Sequence, residues 1–445
     1  MNIQLSDHFT YKKLIRFTLP SVVMMIFTSI YGVVDGFFVS NFAGKTQFAA
    51  INLIMPFLMI LGTVGFIFGT GGTAIVAKTF GEGKPEKANS YFSLFTYTAF
   101  ILGVIFAVLG ISFIRPVSIM LGAEGELLEN CVIYARIILL ALPFYVLQLL
   151  FQSFFVSAEK PQLGLIVTVS SGISNIVLDA LLVTLLTPEY RLAGAAVATG
   201  TSQVIGGTVP LVYFLRKNTS ILRLGKTKFE GKAIAKACVN GSSEFMSNVS
   251  MSLVGMLYNI QLIKYAGEDG VAAYGVMMYV SFVFAAAFIG YSIGTAPVIS
   301  YHFGAGNSEE LKNLLKKSVI LIGLLGIVMV FIAEVLAYPF TKIFVGYDKE
   351  LMMLTLSGFR IFALSFLCMG YAIYGSGFFT ALNDGLVSAV ISFLRTMVFQ
   401  LASVIILPIL FDINGIWFSI ILAEFMAMTL SGLFILIKRE KYDYL

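Results

Sequence analysis

Apolar residues fall in long blocks along this chain, separated by short stretches that carry most of the charge. The blocks run over 14–40, 48–77, 91–121, 130–157, 162–187, 191–215, 233–265, 271–300, 314–339, 350–380, 385–410 and 413–437. Each exceeds the roughly 20 residues that an α-helix needs to cross a bilayer. The pattern predicts an all-α integral membrane protein of twelve transmembrane helices. The first block does not read as a cleavable signal peptide, because no small-residue cleavage site follows its apolar core. Pro20 lies inside that block, where it is expected to kink the helix.

Composition narrows the class further. The 445 residues are 58% hydrophobic and 12% charged, with a mean hydropathy of +0.92. Soluble domains run about 45–50% apolar and about 25% charged. A soluble enzyme, a disordered chain, a disulfide scaffold and a coiled coil are thereby excluded. Cys131, Cys238 and Cys368 are scattered through apolar stretches, which offers neither a disulfide framework nor zinc spacing. His8 and His302 are too few for a haem or a di-metal site, so no cofactor and no structural metal are expected.

The net charge of +5 looks at first like a nucleic-acid signal. Its placement is topological instead. With twelve spans, twenty Lys and Arg fall on the side of both termini, among them Lys12, Lys78, Lys160, Lys228, Lys316 and Lys438, and six fall on the other. Basic loops stay inside. The reading is a multi-pass protein of the inner or plasma membrane with both termini cytoplasmic, no nucleic-acid partner and no obligate protein partner.

The basic stretch 216–236 interrupts the chain at its middle. Residues 43–50 read AGKTQFAA and residues 266–273 read AGEDGVAA. The same offset of 223 aligns Gly71 with Gly294, Gly81 with Gly304 and Ala158 with Ala381. Two six-helix repeats follow, parallel because each half begins on the same side of the membrane. The expected organisation is an N-lobe over 1–215, a basic cytoplasmic linker over 216–232 and a C-lobe over 233–445.

Ionisable residues inside spans are expensive, about 2.5–3.5 kcal/mol for a charge at a helix centre, and mark candidate sites. The acids are Asp35, Asp179, Glu244, Glu334 and Glu424; the bases are Arg136, Arg360 and Arg395. Glu334, Arg136 and Arg360 lie near outer helix ends, where snorkelling or structural pairing accounts for them. Asp35, Asn175, Asp179 and Thr199 fall at one depth in the outer part of the N-terminal half, with Asn175 and Asp179 on one helix face. Carboxylate, amide and hydroxyl oxygens suit a proton, Na⁺ or an organic cation. Two carboxylates in a poorly hydrated pocket cannot both ionise freely, so the pair is expected to act as a unit. At the repeat offset Asp35 meets Tyr258 and Asp179 meets Ala402, so the second half lacks this set. That half has its own acids, Glu244 and Glu424, the latter opposite Gln203 when Gly194 is set on Gly415.

Two phosphate-loop look-alikes carry no chemistry. GTGGTA at 69–74 lies inside a span with no strand before it, and Gly65 with Gly69 reads as close helix packing. Gly83-Lys84 is followed by Pro85 and lacks Walker spacing. Any pumping must therefore draw on an ion gradient. A membrane-embedded enzyme finds no metal-binding histidine set, no clustered carboxylate signature and no soluble catalytic domain.

The chain resembles multidrug and toxic compound extrusion (MATE) transporters, most of all their DinF-like prokaryotic branch. The likeness rests on Val34-Asp35 followed by Gly36-Phe37-Phe38-Val39, on Pro20 fifteen residues before Asp35, on Asn175-x-x-x-Asp179, on GAAVAT at 194–199 and on GSSEFMSN at 241–248. It implies a V-shaped pair of lobes around a central cavity and cation-coupled antiport of organic cations and other xenobiotics. It further implies coupling through Asp35, with Asn175, Asp179 and Thr199 completing an H⁺ or Na⁺ site, and bending of helix 1 at Pro20. Gln148 and Gln152 match polar residues of the family's substrate cavity; Gln203, Glu244 and Glu424 are further cavity candidates. A flippase for a lipid-linked or amphiphilic substrate is the alternative, although Arg395 is nearly alone as a central base.

Overall fold

The computed structural model describes residues 3–39, 42 and 44–444. Ser40 and Ala43, which fall in the expected end of the first span and the head of the loop repeat, lie outside the described residues. Twelve long helices make up most of the described structure. In the first half, α1 is Tyr11–Phe38, and α2 is Lys45–Phe66 continued through a π turn at Ile67–Gly71 into Gly72–Gly81. Next come α3 (Pro85–Met120), α4 (Gly125–Ser157), α5 (Pro161–Leu185) and α6 (Arg191–Leu215).

In the second half one helical stretch, Gly231–Gly304, breaks at Gly267 (φ 62°) into α7 and α8. α9 is Ser308–Val345, and α10 is Lys349–Ala363 bent by 49° into Phe366–Ala381. Gly385–Phe393, with a π turn at Leu394–Phe399, forms α11, and the break at Phe411 and Asp412 separates it from α12, which ends at Ile437. A short α13 (Arg439–Tyr442) closes the chain.

Several helices begin before their apolar blocks because polar first turns cap them. Pro85 and Pro161 start α3 and α5 where a missing N–H costs nothing, and the Asn307 side chain accepts from Glu310 N–H at the head of α9. Apolar side chains also cover the outside. Along α3, Ile101, Val108 and Phe113 are exposed, and along α9, Leu324, Phe331 and Val335, as lipid-facing helices require. α1 runs continuously through the buried Pro20.

Two large apolar clusters and a small third one (Ala50, Ala123 and Cys131) make up the core. One large cluster runs from Val39 to Ala237; the other gathers Val254 to Tyr444 together with Leu5, Phe9, Leu14, Phe17, Met25 and Val156. The chain's first residues thus pack on the second half. Phe9 N–H donates to Glu310 Oε1 (2.9 Å), Lys317 Nζ and Asn313 Nδ2 donate to Phe9 O (2.6 and 3.1 Å), and His8 Nδ1 lies 2.5 Å from Glu310 Oε2. Leu5 N–H reaches the other half, donating to Glu159 Oε1 (2.7 Å) in the α4–α5 connection. Burial pushes the Glu159 carboxyl up and the Leu5 N–H opposes it. The mid-chain basic segment is docked rather than free. Arg223 N–H donates to Asn89 Oδ1 (2.6 Å) and Gly225 N–H to Ser93 Oγ (3.0 Å), both on α3.

Glycines let the halves meet near the face that carries the termini. A Cβ on Gly81 would strike Tyr301 O, and one on Gly304 would strike Lys78 O. These four residues are two pairs at the repeat offset, so the contact is reciprocal, as a pseudo-two-fold axis requires. Gly71 against Gly241, and Gly294 against Thr18, form a second related pair of contacts. Gly241→Ala places a methyl 2.6 Å from Ile67 Cα. It should cost about 1–3 kcal/mol by overpacking, whereas Gly255→Ala, with open space around it, should change little. A thermal-shift series in detergent checks this; equal melting temperatures would refute it.

Candidate functional site

α1, α5 and α6 bring the sequence-singled residues of the first half together. The Thr199 hydroxyl donates to Asp35 Oδ1 and accepts from Asn175 Nδ2, each at 3.5 Å. Asp179, one helical turn beyond Asn175, is fully buried and stands beside Asp35, close enough for the two carboxyls to interact. Neither Asp179 oxygen has a hydrogen-bond partner, and Asn175 Oδ1 has none. Unfilled acceptors in a buried pocket are unstable as such. Asp35 itself is half-buried.

The second half is arranged differently. Arg395, carried on the π turn of α11, clasps Glu424 of α12 through Nε (2.8 and 3.1 Å) and Nη2 (2.9 Å). Glu424 is 2% exposed and is thereby neutralised. π turns insert a residue into a helix and re-aim side chains, often at functional positions. Glu244 on α7 is half-buried, and Arg395 is within electrostatic reach of it. At the symmetry-related place of Asp35, Tyr258 donates to Gln400 Oε1 (3.1 Å) and pairs with Ser419 Oγ (2.8 Å), a hydrogen-bonded structural contact. Glu334 pairs with Arg360 (3.4 Å).

Gln148, Gln152 and Gln203 are each at least nine-tenths buried. Gln148 and Gln152 face the interior of the first half, among α4, α5 and α6. Among the described residues, no three His, Cys, Asp or Glu side chains gather as a metal-holding cluster.

The MatE family model matches this chain twice, over residues 20–181 and 245–406. The chain belongs to the MATE family. Its members are transporters and not enzymes, and the double match gives each half its own copy of the family unit. Similar curated proteins include the multidrug export protein MepA of Staphylococcus haemolyticus, 26% identical over 415 residues that cover 93% of this chain and 90% of that one. The MepA of Staphylococcus saprophyticus is 24% identical over 438 residues, covering 97% and 94%. A solved outward-facing multidrug resistance MATE transporter superposes with a TM-score of 0.92 at 21% identity, over 98% of both chains. A MATE transporter in complex with MaL6 gives the same TM-score at 20% identity and the same coverage. At that identity the likeness carries the fold: twelve helices in two pseudo-symmetric lobes arranged as a V. A multi-pass MATE multidrug efflux transporter is thereby established in outline.

Within the MATE fold one neighbour of these residues escaped sequence reasoning. Tyr134 on α4 is 1% exposed, and its hydroxyl lies beside Thr199 and within electrostatic reach of both Asp35 and Asp179. A tyrosine in an apolar run reads as packing, and nothing in its spacing sets it apart. Close helix packing at Gly65 and Gly69 is realised against α4, where a Cβ on Gly69 would lie 3.3 Å from Leu149 O.

Proposed function

We propose that this MATE transporter exports organic cations in exchange for an inward-moving H⁺ or Na⁺, coupled through Asp35, Asp179, Asn175 and Thr199. The observation that carries the reading is the pair of adjacent carboxyls with unfilled acceptors, set where apolar surroundings make negative charge costly. Ion binding neutralises the pair and weakens its hold on a cationic substrate. Ion loss restores the charge and with it the affinity. Ion and substrate then disfavour each other's occupancy, which is the thermodynamic condition for exchange. A lobe of residues 1–215 rocks against one of 233–445 about the docked linker, and Pro20 supplies the give in α1, since its missing N–H leaves the Arg16 carbonyl without its helical partner. Lys and Arg concentrated on the terminal face support cytoplasmic termini. Glu244 is the acid of the second half left free to meet a cationic substrate, since Glu424 is held by Arg395.

Efflux of a fluorescent organic cation from proteoliposomes tests this. An acid-outside gradient in Na⁺-free buffer should drive it if the ion is H⁺, and external Na⁺ if it is Na⁺. If neither gradient moves any cation tested, the reading fails and an amphiphile flippase takes its place.

A further inference from the structure

The basic stretch at mid-chain is pinned to the side of α3 and presents its charge outward. Leu222 (0% exposed) and Leu224 (8%) enter the apolar core of the first half, and Leu224 N–H donates to Phe214 O of α6 (3.0 Å). The Thr227 hydroxyl donates to Ser90 O (2.8 Å) and the Tyr97 hydroxyl to Gly225 O (3.2 Å), alongside the Arg223–Asn89 and Gly225–Ser93 bonds. Residues 216–236 hold seven Lys and Arg and one acid, and all seven bases are exposed. Glu230, the acid, accepts from the Tyr91 hydroxyl (3.2 Å). Elsewhere on this face Lys78 and Lys84 meet Glu82, Lys312 meets Asp443 and Lys441 meets Asp384. Among the described residues, none of the seven bases is in an ion pair.

α3 also shows where this patch stands against the bilayer. None of residues 88–100 is exposed, and exposed apolar side chains begin at Ile101. Arg115, paired with Glu129, marks the far edge of that apolar band. At about 1.5 Å per helical residue, Arg115 stands about 21 Å beyond Ile101. A hydrocarbon layer about 30 Å thick therefore begins about 9 Å before Ile101, at the level of Ser93 to Tyr97. Gly225 is fastened at that level, by Ser93 and Tyr97. Thr227 is fastened at Ser90 and Arg223 at Asn89, about 8–9 Å further out.

Phospholipid headgroups occupy that outer layer, about 5–8 Å deep. Basic clusters beside a membrane span attract anionic lipid, and the attraction fades within a Debye length of about 8–10 Å. Phe229, 83% exposed between Lys228 and Lys232, adds an aromatic group of the kind that interfacial segments carry. We propose that residues 216–236 form a docking surface for anionic phospholipid headgroups in the leaflet on the terminal face, gripped chiefly by Arg223, Lys226, Lys228 and Lys232. Topology asks only that bases lie on that face. It does not ask that they be held, unpaired, on a segment fixed at the headgroup level. The docking fastens the first half to the bilayer immediately ahead of α7, and it stands independently of the ion-coupled reading.

Phosphatidylglycerol and phosphatidylcholine carrying the same fluorescent acyl chain are the probes, and their anisotropy is titrated with the protein in neutral detergent. The native protein should bind the phosphatidylglycerol at least about fivefold more tightly, the worth of a single base near the headgroups. Combining Lys226→Gln, Lys228→Gln and Lys232→Gln should erase most of that preference. Combining Lys12→Gln, Lys316→Gln and Arg439→Gln removes the same charge from the same face and should keep it. Both triple variants replace exposed, unpaired bases and should melt as the native protein does. Equal affinity of the native protein for the two lipids overturns the proposal, whatever the variants do. Equal loss of preference in both triple variants would reduce the effect to net charge and overturns it too. So does displacement of the phosphatidylglycerol probe by millimolar inorganic phosphate at constant ionic strength, which would make the patch a site for free phosphate.

Discussion

Asp35→Asn should leave a folded protein that binds an organic cation with an affinity no longer sensitive to the coupling ion. In the native protein, loading the Asp35–Asp179 pair should weaken cation binding by roughly 5–150-fold, the range spanned by typical coupling free energies of about 1–3 kcal/mol. The amide copies the carboxyl's size and can still accept from the Thr199 hydroxyl, which stands 3.5 Å away. It cannot lose a proton, so the pocket stays in the neutralised, low-affinity state. Gradient-driven efflux should fall to the leak rate, while thermal stability holds or rises because the costly charge is gone. The check is a titration of a fluorescent cation at several pH values and Na⁺ concentrations, with efflux measured in parallel. An ion-dependent affinity that survives in the variant would remove Asp35 from the coupling role.

The second large effect is structural. Arg395→Met should destabilise the protein by about 3–5 kcal/mol, because it leaves the Glu424 carboxylate buried and unpaired. Glu424 is 2% exposed and its two oxygens take three hydrogen bonds from Arg395, so no water can substitute. The double variant Arg395→Met with Glu424→Met should recover most of that loss, since removing both partners of a buried pair is often neutral or stabilising. Melting temperatures of the two single variants and the double one, in the same detergent, form the test. Additive losses in the double variant would mean that the pair is not the unit the geometry describes. Glu424 thereby has its charge matched within its own lobe, whereas Glu244 makes no ion pair among the described residues.

The twelve spans, their order and the repeat were legible in the linear chain. The bilayer explains why: a spanning segment must satisfy its backbone within itself and be apolar over some twenty residues, and both demands are local. The proposed coupling set was legible for a related reason. Asp35, Asn175, Asp179 and Thr199 stand out because polar oxygens are rare at that depth, and helix topology alone equalises their heights. Asp35, Asn175 and Thr199 indeed meet at 3.5 Å. What hydropathy does not encode is the rotation of each helix about its axis and its distance from its neighbours. Those decide that Glu424 faces Arg395, that Tyr134 lies within electrostatic reach of the carboxyl pair, and that Gln148 and Gln152 turn into the first half. They also decide that Leu5 and Phe9, at the very start of the chain, pack on Glu159 of one half and Glu310 of the other. Hydrophobic blocks thus determined what crosses the membrane. Side-chain packing between helices, summed over contacts from distant parts of the chain, decided which polar groups touch.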